Sequence, residues 1–283
     1  MRGVTLRAAG ILTLVVAALL GSAYALGRSL VPEPTPRQAG IAASVDGRRY
    51  ADQPPGAAEF PSPSTPAATP SGEPTPPPVT DGEGPYGARI STGSARVALT
   101  FDDGPDPQYT PQVLDLLRQY DVKATFCVVG ENAQDHPDLI QAIVADGHTL
   151  CNHSWSHDIT LGKRSSDAIR ADLLRTNDAI HAAAPEARIA WFRQPGGEWT
   201  YPVVSVCQQL GLTPLHWAVD PSDWQAPGAA KVTAAVLDGT GPGAIVLMHD
   251  AGGDRRGTVA ALHQILPALT SRFQLEALPT DPA

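Results

Sequence analysis

The chain is short of the residues that several functions require. Cysteine occurs three times in 283 residues, as Cys127, Cys151 and Cys207, and no C-x-x-C pair exists, so no zinc ribbon can be built. Two readings of the thiols remain open: one disulfide with one thiol left over if the domain is exported, or three free buried thiols. Cations are also scarce. Lys and Arg number 20 against 29 Asp and Glu, giving a net charge of −9, which argues against a nucleic-acid phosphate backbone as partner. The same balance gives no attraction to anionic lipid.

Large apolar residues are few between residues 27 and 93, where half of the 28 prolines fall among Ala, Ser, Thr, Glu and Gly. Such a stretch cannot bury enough surface to offset the entropy of ordering. It reads as a disordered, partly polyproline-II tether, either giving the following domain reach from a membrane or across a cell wall, or serving as a plain spacer. Ahead of it, Arg2 and Arg7 precede an uncharged run over 8–26, the pattern of an export signal. Ala23-Tyr24-Ala25 offers a cleavage site, while the run is also long enough to span a bilayer. Residues 1–26 are therefore a signal peptide or a signal anchor, and the domain is expected outside the cell or at its surface. No cysteine follows the run, so a lipid-anchored form is not expected.

What is present is a regular alternation from residue 94 to 283. Apolar runs predict strands near 96–101, 124–129, 148–152, 190–193, 213–217, 244–248 and 273–277. Helices are signalled by Thr110-Pro111, by Ser166 ahead of the Ile169, Leu173, Ile180 stripe stopped at Pro185, and by patterns near 137–145, 202–209, 229–237 and 259–269. About seven parallel strands with helices outside imply an α/β fold, a deformed (β/α) barrel, with an open doubly wound sheet as the alternative.

Polar residues then gather where such folds place their chemistry. Asp102 and Asp103 end the first strand, between an apolar run and Gly104-Pro105. His153 and His157 follow the third strand, Arg193 ends the fourth, Asp220 and Asp223 follow the fifth and His249 ends the sixth. Adjacent carboxylates repel, so they call for a cation or a proton-transfer task. In His153-Ser-Trp-Ser-His157 the four-residue spacing would put both imidazoles on one face of a helical turn. Two imidazoles and one carboxylate make the three-ligand, open-position set of catalytic zinc. His136, His148, His181 and His263 lack partners at useful spacing and read as surface or structural, and His216 as a packed strand residue.

Five stretches, Thr100 to Pro105, His153 to His157, Arg193-Gln194-Pro195-Gly196-Gly197, Asp220-Pro221-Ser222-Asp223-Trp224 and Leu247-Met248-His249, resemble in order and spacing the motifs of the polysaccharide deacetylases with a NodB homology domain, carbohydrate esterase family 4. The resemblance covers the whole domain. It implies Asp103, His153 and His157 as ligands of one divalent ion, Zn2+ or Co2+, and Asp102 as the general base. It further implies Gly196 N–H as oxyanion donor, His249 as general acid, Arg193 as the group orienting Asp102, and Asp223 as partner of His249 or Arg193. Trp224 and Leu247 would line the acetyl pocket. The family often carries an aromatic residue where this chain has Gly196, and Trp199 is a candidate to replace it.

The expected function is removal of N-acetyl groups from a carbohydrate polymer, peptidoglycan or chitin oligomers, by a monomer that meets a membrane only through its N-terminal segment. Alternatives are an O-acetyl esterase on acetylxylan and a catalytically silent carbohydrate-binding domain. A binder would have no use for the proton-transfer pair Asp102 and His249.

Overall fold

The computed structural model describes residues 83–281, so the segment 1–26 and the tether up to residue 82 lie outside the described residues. Six strands form one parallel sheet: β1 Ala98–Asp102, β2 Thr125–Val128, β3 Thr149–Asn152, β4 Trp191–Phe192, β5 Thr213–Pro214 and β6 Ile245–His249, in the order β5-β4-β3-β2-β1-β6. The helices are α1 Thr110–Gln119, α2 Gly130–Asp135, α3 Pro137–Ala145, α4 Ser166–Ala183, α5 Tyr201–Gln209, α6 Ala229–Gly239 and α7 Arg256–Thr270. Proline sits in the first turn of α1, α3 and α5, where no N–H partner is needed. α4 is capped by Ser165, one residue before the expected Ser166, through Ala168 N–H donating to its Oγ.

Every position of β1 and β6 is buried, as parallel strands covered on both faces require. Their period of two divides the sequence between two environments. Leu99 and Phe101 face outward into the main core under the helices, with Phe126, Val246, Met248, Leu117 and Leu262. Ala98 faces inward, into a small cluster with Trp191, Leu215, Ile245 and the disulfide pair Cys127–Cys151, which the β2–β3 register sets side by side. Of the two cysteine readings, one bridge with Cys207 as a buried free thiol is the arrangement found. Thr100 and Asp102 share that inward face with Ala98, and this alternation is what aims Asp102 at the site.

The sheet curls into a partial barrel. Five residues past Pro214, which pairs with β4, the chain has reached the opposite edge, where Ala218 N–H donates to Ile245 O and Leu247 N–H donates to Val219 O, both at 2.9 Å. The strand expected over 273–277 does not form. β1 pairs with β6 from Ala98 and with β2 from Thr100, and the returning chain makes only a single bridge just ahead of them, Leu275 to Val97. Beyond it the tail runs under the N-terminal ends of the strands. Leu278 N–H donates to Thr125 Oγ1, Thr149 Oγ1 donates to Leu278 O, and Trp191 Nε1–H donates to Pro279 O.

The fold also begins earlier than the composition suggests. Residues 83–93, assigned to the tether by their low apolar content, pack on the domain through bridges Arg89 to Leu215 and Ser91 to Ala244, with Ala88 fully buried. Main-chain hydrogen bonds, one alanine and a lone aromatic, Tyr86 edge-on against Tyr201, hold this segment, too few apolar groups to leave a hydrophobic signature.

Candidate active site

Register builds the centre of the site. Asp102 lies beside His249 across β1 and β6, and beside Cys127 across β1 and β2, so the carboxylate and the imidazole arrive at the same level at the C-terminal ends of adjacent strands. Asp102 is nearly buried and is held from behind by Arg193, which is 0% exposed and donates from Nη1 to Asp102 Oδ1 at 2.7 Å and to Thr100 Oγ1 at 2.8 Å. Its Nη2 donates to His216 O at 3.1 Å. A buried guanidinium whose fork is committed in this way fixes the rotamer of the carboxylate it meets. Oδ2 is left toward the cleft, 3.6 Å from His153 Nε2.

Asp103 points differently from its neighbour because its backbone is left-handed, with φ 75°. Asn132 Nδ2–H secures it by donating to the Asp103 carbonyl at 2.7 Å. Gly252, with φ 73°, passes so close that a Cβ there would fall 2.2 Å from Asp103 Oδ2, so only glycine fits. Asp103 Oδ1 lies 3.5 Å from His153 Nε2 and 3.3 Å from His157 Nε2, and it is buried without a hydrogen-bond donor.

The two histidines do not sit on a helical turn, contrary to the expectation from their spacing. The segment between them is a loop in which Ser154 and His157 adopt left-handed φ of 65° and 54°. Asn152 organises it, its Oδ1 accepting from Ser154 N–H at 2.9 Å while Nδ2 donates to Leu173 O and to Asn177 Oδ1. Trp155 N–H donates to Asp172 Oδ1 on α4 at 2.8 Å, and Gly130 and Glu131 N–H at the start of α2 donate to Ser154 O and Trp155 O. His153 Nδ1–H donates to Arg193 O at 2.8 Å, which fixes the tautomer and presents the Nε2 lone pair to Asp103 and His157.

The ligand atoms of Asp103, His153 and His157 all lie within 4.8 Å of one another. One carboxylate and two imidazoles, one with its tautomer set from behind and one facing a buried oxygen that lacks a donor, fit a single divalent cation. The electrostatics agree. Burial opposes ionisation of Asp103, yet the close His153 imidazole and the positive potential of the three histidines hold it down at about 2. Burial pushes His153 down, but Asp102 and Asp103 outweigh it and its pKa is raised, whereas burial and His153 together lower His157.

His249 closes the opposite side. Its Nδ1–H donates to Asp223 Oδ1 at 2.7 Å and its main-chain N–H to Oδ2 at 2.9 Å, while Thr258 Oγ1 donates to the same Oδ2 at 2.7 Å. Burial works to lower the imidazole, but the Asp223 hydrogen bond and charge raise its pKa. Of the two partners expected for Asp223, His249 is the one it contacts, since Arg193 is spent on Asp102 and the strand above it.

These groups meet in a cleft of about 490 Å³ that is also lined by Gly196, Leu247, Trp224, Trp217 and Ile159. Trp199 does not replace the missing aromatic wall, being buried edge-on against Phe192. His216 is half-buried beyond the end of β5, stacked on Trp217 with ring centroids 3.9 Å apart. Other residues carry no local signal. Arg255 is buried and donates to Ala251 O, Gly252 O and Asp223 O, tying the loop after β6 to the turn Asp223–Gln225. Asp250, pushed up to about 7 by burial, accepts from Thr110 Oγ1. Gln194 is fully buried along the cleft, and neither of its amide atoms finds a partner among the described residues. Only the adjacency of Asp250 and Gln194 to His249 and Arg193 could have drawn attention to them.

Comparison with known proteins gives a consistent answer. The family profile described as polysaccharide deacetylase matches residues 89–215. A chitooligosaccharide deacetylase of Sinorhizobium fredii is 43% identical over 206 residues, 68% of this chain and 94% of the relative. A peptidoglycan-N-acetylglucosamine deacetylase of Bacillus cereus is 40% identical over 175 residues, 61% of this chain and 81% of the relative. Among solved structures, a peptidoglycan N-acetylglucosamine deacetylase in complex with 4-naphthalen-1-yl-N-oxidanyl-benzamide superposes with TM-score 0.63 at 36% identity, over 68% of this chain and 89% of the other.

Proposed function

The chain belongs to the polysaccharide deacetylase family, and from that premise we propose that it hydrolyses the N-acetyl groups of an amino-sugar polymer, releasing acetate and leaving a free amine. The observation that carries this reading is the pairing of Asp102 with His249 at one level of the sheet, each with its own buried orienting partner, Arg193 and Asp223.

Asp103, His153 and His157 would hold one divalent cation, and their nitrogen and carboxylate donors favour zinc, with cobalt next, over calcium or magnesium. Such an ion, when bound, polarises the acetyl carbonyl and acidifies water. Asp102, with Oδ1 engaged by Arg193, accepts through Oδ2 the proton of the attacking water as its oxygen bonds to the acetyl carbon. The Gly196 N–H donates to the oxyanion that develops. His249 gives the Nε2 proton to the amine nitrogen as the carbon–nitrogen bond breaks, and Asp223 stabilises the imidazolium until then. Leu247 and Trp224 enclose the acetyl methyl.

Chitin oligomers and peptidoglycan are the substrates to which the relatives point, and the amide is favoured over the ester of acetylxylan because His249 is equipped to protonate a poor leaving group. One chain supplies every group the mechanism needs, and we propose that it acts as a monomer. The basic N-terminus and apolar run of 8–26, together with a disulfide that suits an oxidising compartment, support action outside the cytoplasm. The decisive experiment measures acetate release from chitin oligomers, peptidoglycan and acetylxylan before and after chelation and after adding back zinc. Release from the first two, lost on chelation and restored by zinc, is expected. Release that survives verified removal of metal would overturn the mechanism.

A further inference from the structure

Three large hydrophobic side chains stand exposed on the described surface, Ile159 at 52%, Trp224 at 54% and Leu174, and two of the three line the cleft. Their placement follows from the sheet order. Ile159 is on the loop after β3, Trp224 on the loop after β5, and β4 lies between those strands, so the loop after β4 that carries Gly196 and Gly197 runs between the two. That loop has no side chain at either position. A Cβ on Gly196 would stand 3.3 Å from Ile159 Cγ2, and one on Gly197 would stand 2.9 Å from Trp217 Cη2. Both glycines have positive φ, 64° and 68°, which disfavours any other residue. The result is a trough with a main-chain floor and two apolar flanks, ending at the reacting groups.

Exposed apolar side chains at a catalytic cleft cost solvation unless something covers them. Among the described residues, the one guanidinium that lines the cleft is that of Arg255, which is buried and committed to three carbonyls, so no Lys or Arg side chain on these flanks would pair with an anionic ligand. The apolar C–H face of a neutral pyranose ring fits this surface.

Resting on the deacetylase reading, we infer that Ile159 is a specificity-determining residue, forming with Trp224 a clamp on the neutral sugar ring that lies across Gly196 and Gly197. It takes the place of the side chain that position 196 lacks. It does not touch the reacting bond, so its contribution is to binding of the sugar, not to the rate of cleavage once bound.

The test compares the zinc-loaded domain and its Ile159→Ala and Ile159→Leu variants on two substrates: the tetramer of N-acetylglucosamine, and 4-nitrophenyl acetate, which has no sugar. Removing most of a half-covered aliphatic side chain should raise KM for the tetramer about tenfold, with kcat within about twofold. Hydrolysis of the small ester should be unchanged, and Ile159→Leu should stay near the parent. Titration of metal-free protein with the tetramer, followed by tryptophan fluorescence, should show the same weakening without turnover. An unchanged KM and binding constant would overturn the clamp, as would an equal loss on both substrates, which would mark Ile159 as a structural support of His157. Failure of the deacetylase reading would show separately, as absence of acetate release from the tetramer by the parent enzyme.

Discussion

At the scale of single residues, the left-handed φ of Asp103 turns its side chain away from that of Asp102, and the proposed mechanism gives the two adjacent aspartates different tasks. Asp103→Asn should weaken zinc binding, since an amide oxygen is a poorer ligand than a carboxylate, and excess zinc should restore only part of the activity. Asp102→Asn should still bind added zinc and lose about 10²- to 10⁴-fold in rate, because in the proposed mechanism nothing else takes the proton from water. Metal analysis beside kinetics decides the matter, and loss of zinc from Asp102→Asn with retention by Asp103→Asn would reverse the assignment. His249 supplies the pH dependence. It acts as an acid only while protonated, and Asp223 raises its pKa against the effect of burial, so activity persists above the usual imidazole range and falls as pH rises through the raised value. In Asp223→Asn burial remains while the largest raising cause is gone and only the charges of Asp102 and Asp103 are left to oppose it, so the alkaline limb of kcat/KM should move to lower pH. A limb that stays in place would remove Asp223 from the tuning role.

At the scale of elements, the site depends on loops whose geometry is set by groups far away in sequence. Asn152→Ala would strand the buried Ser154 N–H, costing about 1–3 kcal/mol of stability, and should weaken metal binding as the loop from His153 to His157 loosens. Urea unfolding and zinc titration of the one variant test both. The same distinction explains what the sequence made legible. β1 and β6, apolar but for Thr100 up to a polar last residue, announce themselves, and with them the placement of Asp102, Asp103 and His249 at strand ends. β4 and β5 shrink to two residues each because curling breaks their pairing, and periodicity is blind to that. The four-residue histidine spacing suggests a helix only because spacing does not encode the left-handed φ of Ser154 and His157. Arg255, Thr258 and Asp172 support site residues through contacts made only when distant segments meet, so no local pattern could mark them.

At the scale of the whole molecule, the boundary of the folded unit is testable. A fragment beginning at residue 83 keeps Ala88 buried and the main-chain bonds from Arg89 N–H to Pro214 O, His216 N–H to Arg89 O and Thr92 N–H to Gly243 O, which a fragment beginning at residue 94 loses. At about 1 kcal/mol for each bond the shorter fragment should be less stable by roughly 3 kcal/mol and melt roughly 6–12 °C lower. Equal melting temperatures would return residues 83–93 to the tether. The tail under the strands has a consequence of another kind. Leu278 and Pro279 are stitched to Thr125, Thr149 and Trp191 at the N-terminal ends of β2, β3 and β4, while the cleft opens at the other ends. A bead or sensor surface coupled through the tail at residues 279–281 would hold the enzyme with its mouth facing the bulk, accessible to an insoluble glycan particle that could never enter a porous support.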